Sequence, residues 1–332
     1  MSIIDIRGID ESLASLLETE LEQVGTIFER QLVSDHEPVT ALGMRVNRYR
    51  GKMLRPSLVL LSGLATGESA GKSCISDAHR TISAVTEMIH MATLVHDDVL
   101  DDSPIRRGGA TINSLHGNEM AVMLGDYLIS NAFHLCSAIG RPELNTLLGH
   151  TTNLLCEGEI VQLHHRDDLS IDEDMYLSIV NRKTASLIAT CCEVGVMLTK
   201  DDPVLRIAMR KYGTNLGIAF QITDDLLDLT GDQVEVGKSV GRDLDVGTLT
   251  LPFIRALQQG SEEERRTLSA LVRDRCHAQL RERLRSEGWV ESALDTARTL
   301  ISSARRQLDP LPDNSATSML HQIADMVIDR KF

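Results

Sequence analysis

The sequence predicts an all-α protein built as a bundle of helices, and three features support this prediction. Only 3% of the 332 residues are aromatic, so the apolar core must come mainly from Leu, Ile, Val, Ala and Met. A core of that composition suits packed helices better than a twisted sheet. Apolar residues recur at helical spacing almost from end to end, and hardly any stretch alternates as a strand does. Since no proline-rich or low-complexity linker divides the chain, we predict one domain over residues 1–332.

The first predicted helix is amphipathic. Its apolar positions are Leu13, Leu16, Leu17, Leu21, Val24, Ile27, Phe28 and Leu32. Long helices are predicted over 38–65, 75–102, 117–139, 143–165, 172–198 and 202–229. The central ones are strongly apolar, as is typical of the interior of a bundle. Shorter helices are predicted over 249–259, 261–286, 288–308 and 315–330, and "PLPDNSA" separates the last two.

Composition excludes several classes of protein. The formal net charge of −14 argues against a nucleic-acid partner, which requires a basic face. The six cysteines show no CxxC spacing, so neither a zinc site nor a disulfide framework is indicated. The sequence starts without a signal-peptide pattern and contains no uninterrupted apolar run of about 18 residues. We therefore predict a cytoplasmic protein without a membrane span.

Two aspartate clusters stand where apolar helices give way to polar, glycine-rich segments. They lie in "LVHDDVLDDSPIRRGG" and "FQITDDLLDLTGD" and have the same spacing, i, i+1 and i+4: Asp97, Asp98 and Asp101 in the first, Asp224, Asp225 and Asp228 in the second. Like charges four residues apart destabilise a helix, so a compensating cation is expected. A solvated acidic face is the alternative, but both clusters end apolar helices, where isolated carboxylates are costly. Hard oxygen ligands favour Mg²⁺.

Basic residues accompany both clusters. They are Lys52 and Arg55 in "GKMLRP", Arg106 and Arg107 after the first cluster, Lys183 in "NRKTAS", and Lys238 in "VGKSVGRD". Any one of them alone would be an ordinary surface residue. Together they indicate one phosphate group held through metal and a second held directly by cationic side chains.

These motifs resemble the trans-isoprenyl diphosphate synthases, the polyprenyl synthetases. The resemblance runs from "YRGKMLRPSLVLL" through both clusters, "GD" at 125–126, "EGEIVQL", "KTA" and "GKSVGRDL" to "IADMVIDRKF". It implies the isoprenoid-synthase helical bundle with a central cavity, and a homodimer. It also implies Mg²⁺-dependent, head-to-tail condensation of an allylic diphosphate with isopentenyl diphosphate.

The resemblance also assigns roles to individual residues. Five aspartates would hold Mg²⁺ on the allylic diphosphate, with Asp228 acting through water: Asp97, Asp98, Asp101, Asp224 and Asp225. Arg106, Lys183 and Lys238 would grip the same leaving group. Isopentenyl diphosphate would be bound by Lys52, Arg55, His90 and Arg107. Thr184 and Gln221 would stabilise the allylic cation. Without the resemblance, His90 would be interpreted as a core histidine.

Product length is predicted from the floor of the channel that the resemblance implies below the first cluster. Ala92 and Thr93 are not aromatic, so the floor is open. Ile89 lies deeper, and Phe133 is the best candidate for a deeper stop. We therefore expect a long-chain product, hexaprenyl to decaprenyl, of the kind used for quinone side chains, with transient membrane contact for its release.

Three alternatives stay open. A geranylgeranyl product is the nearest rival, and a regulatory subunit of a heteromeric synthase is the non-enzymatic one. Such subunits tend to lose aspartates that are intact here. A terpene cyclase would usually replace the second cluster with an Asn/Ser/Glu motif. One departure from the family pattern is Thr248, which occupies the usual lysine position in "GTLTLP".

Overall fold

The chain is helical throughout nearly all of the part that the structure describes. This computed structural model describes residues 10–49, 51–67, 74–230 and 241–329. Its helices are α1 Glu11–Arg30, α2 Glu37–Arg45, α3 Leu54–Thr66, α4 Asp77–Leu100, α5 Ile112–His116, α6 Asn118–Ala138, α7 Pro142–His164, α8 Glu173–Val180, α9 Ser186–Thr199, α10 Pro203–Thr230, α11 Arg242–Asp245, α12 Leu251–Gln259, α13 Glu262–Arg273, α14 His277–Ser286, α15 Trp289–Arg306 and α16 Ser315–Ile328. Within the described residues, the only strands are β1 Ile105–Arg106 and β2 Gly109–Ala110, which pair antiparallel. The all-α prediction is confirmed.

Two predicted helices are wrong because each is interrupted. The helix over 38–65 divides into α2, a 3₁₀ turn at Val46–Tyr49 and α3, since Met53 adopts a left-handed backbone with φ of 53°. The helix over 261–286 divides into α13 and α14 at Arg275, whose φ is 52°. There the Cys276 N–H donates to the Leu271 carbonyl at 2.8 Å, which closes a Schellman-type end. Neither of these left-handed positions is occupied by glycine.

The chain forms two compact units. The first comprises Met1–Thr152, Ile188–Arg210 and Leu308–Gln322. Its central element is α4, which packs against α1, α3 and α6 and is buried over most of its length. The single domain predicted over residues 1–332 stays a prediction.

The second unit comprises Asn153–Leu187, Lys211–Gln307 and Ile323–Phe332. Here α12 packs against α8, α13 and α15. Arg255 on α12 binds the Glu173 carboxylate at the start of α8 with two nitrogens, at 3.0 and 2.5 Å, and donates to the Ser292 carbonyl at 2.6 Å. This partly buried bidentate pair fixes α8, which contributes to the second aspartate cluster.

No helix among the described residues combines the length and the apolar character that crossing a membrane requires.

Candidate active site

The first aspartate cluster lies at the C-terminal end of α4. Asp97 and Asp101 are half-buried, whereas Asp98 is only 1% exposed. The Arg106 guanidinium on β1 donates from two nitrogens to Asp98 Oδ1, both at 2.8 Å. The Asp98 carboxylate thus neutralises the charge of the Arg106 guanidinium inside the protein. Asp97 and Asp101 are its more accessible neighbours, one helical turn apart.

A tight hairpin presents the two arginines that follow the cluster. Arg107 and Gly108 join β1 to β2 with φ of 50° and 74°, as the two-residue turn of a hairpin requires. The Arg107 guanidinium donates to the Tyr49 carbonyl, which attaches the hairpin tip to the chain just before α3. Gly51 allows this approach, because a Cβ there would lie 2.6 Å from the Arg107 guanidinium.

Three arginines of the first unit lie near enough to His90 for their charges to act on it. The pKa of His90 is held well below its usual value, first by burial and then by the charges of Arg55, Arg107 and Arg106. Burial also lowers the pKa of Arg55. The structure therefore brings these four predicted residues together as a cationic group with a neutral imidazole. Lys52, the fifth predicted residue, is exposed.

Sequence analysis missed the acid in this group. Glu87 is 3% exposed, and its charge acts on Arg55 and Arg107. A buried carboxylate beside two arginines neutralises part of their charge until an anionic ligand arrives. The available signal was a glutamate inside the apolar run "TEMIHMATLV".

The second cluster contains one exposed and two inward carboxylates. Asp224 is exposed, while Asp225 is 7% exposed and engaged on both oxygens. The Tyr176 hydroxyl donates to Asp225 Oδ2 at 2.6 Å, and Gln221 Nε2 donates to Oδ1 at 2.7 Å. Burial, opposed by these hydrogen bonds, raises the pKa of Asp225 to about 7.

Asp228 ties the segment after α10 back onto that helix. Its carboxylate accepts the backbone N–H groups of Arg242 at 3.2 Å and Asp243 at 3.0 Å, and its carbonyl accepts the Gly241 N–H at 2.9 Å. The pKa of Asp243 is raised well above its usual value, chiefly by burial and then by the neighbouring aspartates. Asp243 and Tyr176 are site residues that sequence analysis did not identify. Asp243 lay within the "GRDL" motif, whereas no motif pointed to Tyr176.

A π-helical turn carries Lys183 and Thr184. It spans Asn181–Ala185, between α8 and α9, and such turns are frequent at functional sites. Two glycines make room for it. A Cβ at Gly158 would lie 2.7 Å from the Lys183 nitrogen, and one at Gly217 would lie 2.5 Å from the Ala185 Cα.

The side chains of this turn have defined partners. Lys183 Nζ pairs with Glu159 Oε2 at 2.5 Å, and the Thr184 hydroxyl donates to Gln221 Oε1 at 2.8 Å. Gln221 therefore links Thr184 to Asp225 of the second cluster, and the charge of Lys183 acts on Asp243. Lys238 lies outside the described residues. The backbone N–H of Thr248 donates to the Asp243 carbonyl at 2.8 Å.

The residues predicted to control product length lie on two packed helices. On α4, Ala92 and Ile89 are buried and Thr93 is half-buried, with its hydroxyl donating to the His90 carbonyl at 2.8 Å. On α6, Phe133 is half-buried. Ala92 thus places no aromatic ring at the position predicted to be the floor.

The carboxylates suit Mg²⁺ in chemistry. Asp97 and Asp101 share a helical face, Asp224 is exposed, and oxygen donors are those that Mg²⁺ prefers. Among the described residues, no three Asp, Glu, His or Cys side chains already converge as a metal-binding group. Because Mg²⁺ keeps waters and uses phosphate oxygens when it binds through few carboxylates, the accessible carboxylates of each cluster, taken by itself, fit a metal that arrives with a diphosphate.

The sequence profile of the polyprenyl synthetase family matches residues 38–285, and the chain belongs to that family. The chain is 32% identical over 324 residues to octaprenyl diphosphate synthase of Escherichia coli, covering 96% of this chain and 98% of that protein. It is also 32% identical, over 311 residues, to a short chain isoprenyl diphosphate synthase of Methanothermobacter thermautotrophicus. That match covers 91% of this chain and 94% of the relative.

Solved structures share the fold. A polyprenyl synthase from Caulobacter crescentus, complexed with calcium and isoprenyl diphosphate, has a TM-score of 0.88 and 30% identity to this chain. The match covers 98% of this chain and 99% of that one.

Proposed function

We propose that this protein joins isopentenyl diphosphate head to tail to an allylic diphosphate and makes an all-trans polyprenyl diphosphate of hexaprenyl to decaprenyl length. The observation that carries the proposal is the cationic group of Arg55, Arg106, Arg107 and neutral His90. This group lies beside an aspartate cluster, in a chain whose net charge is −14. Arginines that cluster in so acidic a protein indicate a binding site for an anionic ligand.

The cationic group suits a diphosphate bound without metal. The arginines supply forked donors, and the neutral imidazole of His90 adds a hydrogen bond without adding repulsion. The charge of buried Glu87 would offset part of the positive charge of Arg55 and Arg107 before the ligand binds. We assign the diphosphate of isopentenyl diphosphate to Arg55, Arg107 and His90 of this group, together with exposed Lys52. Arg106 would hold the departing allylic diphosphate.

The aspartates suit the other substrate, the allylic diphosphate. Bound Mg²⁺ would neutralise the charge that develops on this diphosphate as its C–O bond breaks. Asp97, Asp101 and Asp224 are the accessible carboxylates that would meet the metal. The resemblance assigns Asp98 and Asp225 to the metal as well, but both are buried. Asp98 is engaged by Arg106 and Asp225 by Tyr176 and Gln221, so we propose that these two support the accessible carboxylates, as Asp228 does through the backbone of residues 242 and 243. The polyprenyl synthase from Caulobacter crescentus, which holds calcium with isoprenyl diphosphate, supports the use of a divalent metal.

The residues of the π turn suit the developing cation. Lys183 would hold the departing diphosphate, as would Lys238, while Thr184 and Gln221 would present dipoles to the allylic carbon. The double bond of isopentenyl diphosphate then attacks this carbon, and the freed diphosphate takes the proton that is lost.

Ala92 and Thr93 support a long product. The similar proteins are mainly octaprenyl, heptaprenyl and decaprenyl diphosphate synthases, although the short chain relative is as identical to this chain as the octaprenyl one. An open floor at Ala92, with Phe133 as the deeper stop, favours hexaprenyl or longer chains over geranylgeranyl.

A homodimer belongs to the same proposal. Leu115, Met120, Val122 and Met123 on α5 and α6 are apolar and exposed, and a second copy would cover them. The mass of the protein in solution, measured by light scattering, would be twice that of the chain. A monomer in an active preparation would contradict this part.

The experiment is a product assay. Purified protein is incubated with Mg²⁺, isopentenyl diphosphate and, in turn, dimethylallyl, geranyl, farnesyl and geranylgeranyl diphosphate. Mass spectrometry then sizes the products. A ladder reaching hexaprenyl or longer, abolished by Asp97→Ala, is expected. Products that stop at geranylgeranyl would overturn the chain length, and folded protein that elongates no primer would overturn the catalytic assignment in favour of a regulatory subunit.

A further inference from the structure

We infer that Tyr176 is a positioning residue that fixes the direction of the Thr184 hydroxyl through Asp225 and Gln221. The consequence is that the Thr184 oxygen keeps its lone pairs available for positive charge on the reacting allylic carbon. The inference rests on the proposed function, because only a reaction that develops positive charge beside Thr184 would use this direction.

Three hydrogen bonds link four side chains of the second unit. Tyr176 Oη donates to Asp225 Oδ2 at 2.6 Å, Gln221 Nε2 donates to Asp225 Oδ1 at 2.7 Å, and Thr184 Oγ1 donates to Gln221 Oε1 at 2.8 Å. Tyr176 is 4% exposed and Asp225 is 7% exposed, so water has little access to the buried end of the chain.

The chemistry of these groups leaves one consistent set of directions. In its ionised form Asp225 only accepts, and it takes one donor from each neighbour, the Tyr176 hydroxyl and the Gln221 amide nitrogen. Gln221 must therefore turn its amide nitrogen toward Asp225 and its carbonyl oxygen toward Thr184. The carbonyl oxygen can only accept, so Thr184 must commit its single hydrogen to Gln221. The lone pairs of Thr184 then point elsewhere.

A flipped Gln221 would reverse the result. Its amide nitrogen would donate to Thr184, and the hydroxyl hydrogen would be released toward the site. A positive hydrogen facing the allylic carbon opposes a cation, whereas a lone pair stabilises it. The buried end of the chain thus determines the sign of the dipole at its open end.

Tyr176 secures the buried end. Its hydroxyl holds Asp225 Oδ2, which leaves Oδ1 for Gln221. The backbone on both sides is also fixed, since Arg255 binds Glu173 at the start of α8, and Gly158 and Gly217 enclose the π turn that bears Thr184. Phenylalanine would fill the same space without the hydroxyl, so the packing would survive Tyr176→Phe while the constraint on Asp225 would not.

The test compares the binding of two ligands that differ only in charge. One is an analogue of the allylic diphosphate with an ammonium nitrogen at the position of the cationic carbon, and the other is its neutral carbon isostere. Calorimetric titration with Mg²⁺ gives the ratio of their affinities. This ratio cancels effects on diphosphate and metal binding, which the two ligands share.

Wild-type protein is expected to prefer the ammonium analogue by about tenfold, the scale of one hydrogen bond to a charged group. Tyr176→Phe should remove most of this preference and lower kcat about tenfold, with the KM of each diphosphate within about twofold of wild type. Tyr127→Phe, which removes a tyrosine hydroxyl in the first unit, is the matched control and should keep the ratio.

A double-mutant cycle separates this role from packing. Thr184→Val should abolish the preference, Thr184→Ser should retain it, and adding Tyr176→Phe to Thr184→Val should cause no further loss. An unchanged ratio in folded Tyr176→Phe, or additive losses in the double variant, would overturn the inference. Equal weakening of both ligands would also overturn it, since Tyr176 would then act on metal or diphosphate binding. A wild-type protein that elongates no primer would refute the proposed function instead.

Discussion

Gly217→Ala tests how closely activity depends on the π turn. Gly217 lies on α10, where a Cβ would sit 2.5 Å from the Cα of Ala185 and 2.8 Å from its Cβ. Both neighbours belong to the π turn, so no flexible side chain can move aside. Ordinary contact begins near 3.4 Å, and the two backbones must therefore separate by about 1 Å.

Gly217→Ala should lower the stability of the protein modestly and its activity strongly. Overpacking of this kind costs about 1–3 kcal/mol, while replacing glycine by alanine within a helix returns about 1 kcal/mol. The net loss of stability is therefore at most about 2 kcal/mol. Activity is more sensitive, because Thr184 and Lys183 move with the turn, and a displacement near 1 Å costs up to about 100-fold in rate.

The assay measures kcat with saturating substrates and the melting temperature of the same samples. Gly149→Ala is the matched control, since Gly149 lies in α7 and a Cβ there meets nothing within 4 Å. It should keep full activity and gain slightly in stability. Full activity in Gly217→Ala would refute the reasoning, as would a loss of rate explained entirely by unfolded protein.

Three further predictions follow from other parts of the structure. Ala92→Phe should place a ring at the floor position and shorten the product to geranylgeranyl or less, measured by mass spectrometry; an unchanged product distribution would mean that Ala92 does not line the channel. Burial lowers the pKa of His79, so the neutral form stabilises the fold above about pH 6.5 and this contribution is lost as the pH falls below that value; unfolding in denaturant across this range should show a steeper loss for wild type than for His79→Gln, and equal slopes would exclude the role. Asp228→Ala should leave two backbone N–H groups without their acceptor, lower stability by about 1–3 kcal/mol and raise the Mg²⁺ concentration needed for half-maximal rate, whereas Asp228→Asn should keep part of both; a melting temperature and Mg²⁺ requirement equal to wild type in Asp228→Ala would contradict the anchoring role.

Most helices could be predicted because their signal is local. The ranges 75–102 and 202–229 agree with α4 and α10 within two residues at each end, since apolar side chains recur along a face that is buried. The interruptions at Met53 and Arg275 could not be predicted. Each places a residue with a side chain in a left-handed backbone, where the sequence would suggest glycine, and the surrounding fold outweighs that local preference.

The site divides in the same way. The sequence by itself determined the residue types: two aspartate clusters at the ends of apolar helices, the accompanying arginines and lysines, and small residues at the floor. These follow from spacing along a helix, which is fixed by 3.6 residues per turn. The tertiary structure alone decided which carboxylate oxygens of Asp98, Asp225 and Asp228 are hydrogen-bonded, and to which partners. Tyr176 meets Asp225 across 49 residues of sequence, and Gly217 meets Ala185 across two helices. These contacts join residues that are distant in sequence and meet only through the packing of helices. No local sequence pattern therefore predicts them.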